Sequence, residues 1–220
     1  MAAIRRSLGN QTISRKLGID SHLAAVGIAT AVLLWCNGSL AADTRAILLR
    51  GYLGLFSDGL DRLAEELRAR GVNAEVRKHL YWTTAVSDIL RERAAGKVGA
   101  LILMGHSQGG NDAIEIARAL EISHVPVDLL VTFDPFRQKP VPANVARAIN
   151  YYQRGGWGLA LVPETGFRGK LVNNDLAADA TINHFNIDDD SRIHADVLLE
   201  IDALRQVSTQ AIPLPRSRRK

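Results

Sequence analysis

The sequence predicts an α/β fold, a three-layer sandwich in which helices cover a mostly parallel sheet. Three observations point there. From Ala46 onward, short apolar runs alternate with segments whose apolar residues recur at helical spacing, the order that builds parallel sheets. The most apolar run, Val98 to Met104, carries no charge, as a strand buried on both faces requires. The 220 residues are 47% apolar and 23% charged, which suits one globular core and excludes disorder over most of the chain.

The elements follow in order. Ala46 to Arg50 is a buried strand that ends in Gly51-Tyr-Leu-Gly54. Ser57 to Arg70 is a helix with Leu60, Leu63, Ala64 and Leu67 on one face, stopped by Gly71. Val72 to Lys78 is the second strand, and Ser87 to Ala95 a helix that Gly96 terminates. The strand Val98 to Met104 is followed by a helix from Asn111 to Leu120, with Ile114, Ala117 and Leu120 inward, and by the strand Val127 to Phe133. Val145 to Tyr152 and Lys170 to Asn173 are further strands. The ten residues Pro135 to Asn144 are short for a helical crossover, and Arg154 to Gly166 has no helical period, so both connections should be irregular. Ser191 is placed to cap a final helix whose apolar positions are Ile193, Val197, Leu198, Ile201 and Leu204.

The formal charge of +4 invites a nucleic-acid reading until its distribution is traced. Arg5, Arg6, Arg15 and Lys16 precede the uncharged run Leu23 to Trp35, and small residues close the segment at Ser39-Leu-Ala-Ala42. A basic region, a short apolar stretch and a small-x-small site together describe a secretory signal over residues 1–41. The expected location is secreted or periplasmic, with anchoring by an uncleaved segment as the alternative. Without that segment the 27 basic and 23 acidic residues fall to 23 and 22. Four of those remaining bases lie in Arg216-Ser-Arg-Arg-Lys220, within a basic, disordered tail expected over residues 208–220. The body, residues 42–207, is slightly acidic, which argues against a nucleic-acid partner. The lone Cys36 excludes a disulfide framework, and His79 and His124 have no partners at ligand spacing, so no metal or other cofactor is expected.

Gly105-His-Ser107-Gln-Gly109 falls between the most apolar strand and a helix. A sharp strand-to-helix turn that strains its central residue leaves no room for side chains two positions away, and it lifts the serine hydroxyl above the carboxyl edge of the sheet. The backbone N–H of Gln108, at the helix start, then faces the position where negative charge would develop on a substrate.

This arrangement resembles the nucleophile elbow of the α/β-hydrolase superfamily, in its lipase, esterase and thioesterase-like members. The resemblance covers about residues 45–206 and implies the chain order nucleophile, acid, histidine. Asp134, in Leu129-Leu-Val-Thr-Phe-Asp-Pro135 at the end of the strand Val127 to Phe133, looks like the acid position, 27 residues after Ser107, and His184 follows 50 residues later. Asp175 is the rival acid and His194 the rival base. Such a site needs the imidazole to take the serine proton and a carboxylate to orient the imidazole. A second oxyanion N–H is assigned to Tyr52, where Arg50-Gly51 stands in place of the usual His-Gly. Arg50 itself has two readings, a partner for a structural carboxylate or for an anionic substrate group. His106 should point away from the Ser107 hydroxyl, and the Gly/Trp-rich stretch around Trp157 is a candidate pocket wall or lid.

The implied protein is a minimal hydrolase without a cap domain, monomeric, that cleaves small-molecule or lipid carboxylic esters through an acyl-enzyme, with transient membrane-surface contact. Thioester hydrolysis at the same site and a non-catalytic, hydrolase-like envelope binding protein are the alternatives.

Overall fold

Along β1 (Asp43–Arg50), Ala46 and Leu48 enter one core while Ile47 and Leu49 enter another, the alternation of a strand buried on both faces. The computed structural model describes residues 43–52 and 57–210, the last four by backbone alone. The expected export segment and all but the first three residues of the expected tail lie outside the described residues, as do Leu53 and Gly54.

Six parallel strands form one sheet: β1, β2 (Asn73–Lys78), β3 (Val98–His106), β4 (Leu129–Phe133), β5 (Arg147–Tyr152) and β6 (Lys170–Asp175), in the spatial order β2-β1-β3-β4-β5-β6. The helices are α1 (Gly59–Ala69), α2 (Trp82–Ala94), α3 (Gln108–Ile122) and α4 (Ser191–Gln210). Leu60, Leu63 and Leu67 of α1 and Ile193, Val197 and Ile201 of α4 pack on one face of the sheet. Ala85 and Ile89 of α2 and Ala113, Ile114, Ala117 and Leu120 of α3 pack on the other. Each fully buried Leu or Ile is worth about 1.5–3 kcal/mol, so packing, more than helix propensity, holds these segments in place.

The chain leaves β1 to form β2 on one side, then returns to place β3 on the other. Ligands of open parallel sheets bind in the crevice where strand order reverses in this way. Register brings the ends of neighbouring strands level there: Leu49 pairs with Gly105, His106 with Phe133, and Phe133 with Tyr151. Gly51, Ser107 and Asp134, the residues that follow, therefore emerge together at the carboxyl edge.

Several boundaries differ from the sequence reading by a few residues, and four of them have a clear physical reason. Helix α2 starts five residues early, at Trp82, because Trp82, Val86 and Leu90 recur every four residues against the core and override the weak propensity of Trp-Thr-Thr. Strand β1 begins at Asp43 because Arg45, although charged, is buried, with its guanidinium paired to Glu75 and Glu92. Strand β6 runs on to Asp175, paired with Tyr152. The cap of α4 is Asp190 and not Ser191: its Oδ1 accepts the N–H groups of Arg192 at 2.9 Å and Ile193 at 3.3 Å. The β4–β5 and β5–β6 connections are irregular, joined to each other by a bridge between Val141 and Pro163.

Candidate active site

Strand β3 delivers Ser107 into a backbone conformation with φ 56° and ψ −119°. A non-glycine residue there is strained, and strain of this kind persists only where its surroundings enforce it. Two glycines permit it. A Cβ on Gly105 would lie 2.2 Å from the Gly109 carbonyl oxygen, and one on Gly109 would lie 2.0 Å from the Leu49 carbonyl oxygen. The Ser107 N–H donates to the Phe133 carbonyl at 2.8 Å, which fastens the turn to β4. Helix α3 begins immediately after, so the Gln108 N–H is among those with no acceptor within the helix.

The structure brings Ser107, His184 and Asp134 into one hydrogen-bonded series. His184 Nε2 lies 3.0 Å from Ser107 Oγ, and His184 Nδ1 lies 2.7 Å from Asp134 Oδ2. A carboxylate can only accept, so Nδ1 carries the hydrogen and the Nε2 lone pair faces the serine hydroxyl. Asp134 is itself held tightly. It has φ 51°, its N–H donates to Tyr151 O at 2.8 Å, and its Oδ1 accepts the Gln153 N–H at 3.1 Å. Gly158 closes over it: a Cβ there would sit 1.8 Å from Asp134 Oδ1.

The rival residues are elsewhere. Asp175 is exposed at the end of β6, accepts the N–H groups of Arg154 and Ala177 at 3.1 and 3.0 Å, and has its pKa lowered first by the Arg154 N–H. His194 is buried between α4 and α1, with Nε2 donating to Asp188 O at 2.7 Å and Nδ1 3.2 Å from Glu66. Arg50 is directed to carboxylates of the α1 start, Asp61 and Asp58, which answers its two readings in favour of structure.

The loop after β1 passes beside Ser107. A Cβ on Gly51 would lie 3.3 Å from Ser107 Cβ. Tyr52, the next residue, is exposed, with its ring 6.0 Å from that of His79. His79 Nδ1 in turn lies 3.1 Å from Asp112, whose other oxygen accepts the Gln108 side-chain amide at 2.8 Å. Burial raises the Asp112 pKa, against the lowering by Gln108 and His79.

A second polar network, behind the Ser107–His184–Asp134 series, was not read from the sequence. His106 Nε2 donates to the carbonyl of His184 at 2.7 Å, which leaves Nδ1 to accept from the Ser57 hydroxyl at 2.9 Å. Ser57 Oγ also accepts the Gly51 N–H at 3.1 Å. One imidazole thus ties the loop after β1 to the backbone of His184. Burial, and then the neighbouring His184, push the His106 pKa down to about 4. Asp188 Oδ1 approaches His106 Nδ1 at 3.8 Å, but burial pushes the Asp188 pKa up to about 7. Between those two values both groups are neutral, so their approach is not an ion pair. Asp188 Oδ2 has no hydrogen-bond partner among the described residues. The only sequence cue for His106 is its place beside Ser107; Ser57 reads as a helix start and Asp188 as charge for the N-terminus of the last helix, and neither points to this network.

Among the described residues no group of three or more His, Cys, Asp or Glu could hold a metal ion, and no helix is long and apolar enough to cross a membrane.

No family model matches the chain, and no curated protein does. Among solved structures the chain is similar to a protein of Xanthomonas campestris pv. campestris described as a hydrolase of the alpha/beta superfamily, at 19% identity over 71% of this chain and 99% of that one, with TM-score 0.40. It is also similar to RedJ, a thioesterase of the prodiginine biosynthetic pathway in Streptomyces coelicolor, at 13% identity over 77% and 91% of the two chains, TM-score 0.43. A third is a cutinase-like protein from Cryptococcus sp., at 13% identity over 74% and 97%, TM-score 0.41. At these values the likeness has no bearing on substrate, and the functional reading rests on the hydrogen-bonded series.

Proposed function

We propose that the protein is a serine hydrolase that cleaves carboxylic esters through an acyl-enzyme. The observation that supports this reading is the Ser107–His184–Asp134 series, at 3.0 and 2.7 Å, on a strained turn at the switch point of the sheet. His184 Nε2 takes the Ser107 proton as Oγ adds to the ester carbonyl. The resulting oxyanion is met by the Gln108 N–H and, with the loop held by Ser57, by the Tyr52 N–H. His184 then gives its proton to the departing alcohol oxygen, and the C–O bond breaks to leave the acyl group on Ser107. Water repeats the sequence, with His184 as base, and releases the acid. Asp134 keeps His184 in the required tautomer and stabilises the imidazolium without taking its proton. The substrate is a small-molecule or lipid ester, and the chain acts outside the cytoplasm as a monomer.

Hydrolysis of p-nitrophenyl esters from C2 to C16, by the wild type and by Ser107→Ala, tests the proposal. Wild-type turnover that falls on the order of 10⁴-fold or more in the variant is expected. Activity that survives in Ser107→Ala would overturn it. The same acyl group presented as a thioester identifies which leaving atom the site prefers.

A further inference from the structure

Two large apolar rings lie against His184 and remain in solvent. The Trp157 ring centroid is 4.7 Å from the imidazole, the Phe185 centroid is 5.5 Å from it, and the two rings meet edge-on at 5.5 Å. Trp157 is nevertheless 63% exposed and Phe185 50% exposed. Contiguous exposed aromatic surface is uncommon on a monomer and marks a place where apolar matter binds.

Both rings are held by their backbones. The loop carrying Trp157 is fastened by Gln153 Nε2 to Ile182 O at 2.7 Å and by the Leu159 N–H to Pro135 O at 2.8 Å. Its Gly158 rests on Asp134. The Phe185 N–H donates to Asn183 Oδ1 at 2.8 Å. The wall is therefore built before a ligand arrives, which lowers the entropy lost on binding.

The chemistry of the proposed reaction assigns the ligand. The alcohol oxygen of the ester must receive its proton from His184 Nε2, so it lies within hydrogen-bond reach of that atom. Its substituent then begins beside the groups that border the imidazole. The acyl carbonyl oxygen, by contrast, must face the N–H groups of Gln108 and Tyr52. We infer that Trp157 and Phe185 form an alcohol-side subsite, which favours esters of aromatic or bulky apolar alcohols over esters of small ones. The inference rests on the serine-hydrolase reading above.

Butyrate esters of methanol and of benzyl alcohol, followed by acid release, test it with the full chain. Both give the same butyryl-enzyme, so a difference in kcat/KM reports on the acylation step alone. Trp157→Ala is expected to lower kcat/KM for benzyl butyrate by about 2–12-fold more than it lowers kcat/KM for methyl butyrate, the range of one aromatic contact. Phe185→Ala should act in the same direction, and Trp157→Phe should keep most of the preference. Equal losses on both esters would overturn the inference and make Trp157 a positioning residue for His184. A loss that follows acyl length in methyl butyrate against methyl octanoate would overturn it too, since the wall would then serve the acyl side. A folded wild type that hydrolyses neither ester and is not labelled on Ser107 by a fluorophosphonate would instead overturn the hydrolase reading, and this inference with it.

Discussion

Replacing Asp188 with Asn tests the electrostatics behind the Ser107–His184–Asp134 series. The carboxyl is 1% exposed, and burial pushes its pKa from the ordinary 3.8 up to about 7. Between those values the folded chain keeps a proton that the unfolded chain has released. The stability this group contributes is therefore fully present below about pH 3.8 and is lost as pH rises through 7, by about 1.4 kcal/mol per pH unit. Over roughly three units the loss approaches 4 kcal/mol, a large share of the 5–15 kcal/mol that holds a typical domain together. His106 acts in the opposite sense. Its pKa, about 4 in the fold against an ordinary 6.5, makes its contribution present above about pH 6.5 and lost as pH falls through 4. In the wild type the two slopes oppose each other from about pH 4 to 6.5, so a pH titration of the wild type alone would hide both. The difference between variant and wild type removes the His106 contribution. Asp188→Asn copies the protonated acid and cannot ionise, so urea denaturation should show its advantage widening by about 3 kcal/mol between pH 4.5 and 8.5. A difference that stays constant across that range would mean that Asp188 ionises like an ordinary carboxyl and that its burial carries no such cost.

Other expectations follow from single contacts. His106→Phe preserves ring volume but removes the donor to the His184 carbonyl and the acceptor for Ser57, so kcat/KM on p-nitrophenyl butyrate should fall about 10–100-fold, the effect of leaving one buried polar group, the His184 carbonyl, without its donor at about 1–3 kcal/mol. His106→Gln, which can still donate and accept, should recover part of it, and full activity in the Phe variant would show that the network does not position the base. Gly158→Ala would place a methyl 1.8 Å from Asp134 Oδ1 and so displace the carboxylate; a loss of kcat of at least about 100-fold with an intact circular dichroism spectrum is expected, and unchanged kcat would contradict the placement of that loop. Asp134→Asn should lower kcat on the order of 10³–10⁴-fold by favouring the wrong His184 tautomer, whereas Asp175→Asn should stay within a few-fold. The reverse ranking would move the acid to β6.

What could be read from the sequence is what is encoded locally. The run Val98 to Met104 and the glycines at 105 and 109 declare a buried strand and a sharp turn without reference to the rest of the chain, and the structure explains those glycines by clashes of 2.2 and 2.0 Å. Asp134 and His184 came from the chain order that the resemblance to the α/β-hydrolases implies, and three-dimensional proximity then placed them on Ser107 while leaving Asp175 in solvent. The remainder depends on contacts between distant residues. Ser57 meets His106 across 49 positions, and His106 meets the His184 carbonyl across 78, so no periodicity or local motif signals either bond. Gly158 looks like one glycine of an irregular stretch until Asp134 is seen beneath it. Arg45 is charged and reads as surface until Glu75 and Glu92 close around it inside the sheet edge.

Whether Ser107 is a nucleophile activated by His184 is decided by incubating the folded protein with a fluorophosphonate probe and mapping the adduct by peptide mass spectrometry. One adduct is expected, on Ser107, with a labelling rate that drops on the order of 10³-fold or more in His184→Ala. Folded protein that takes no label, or takes it on another serine, would contradict it.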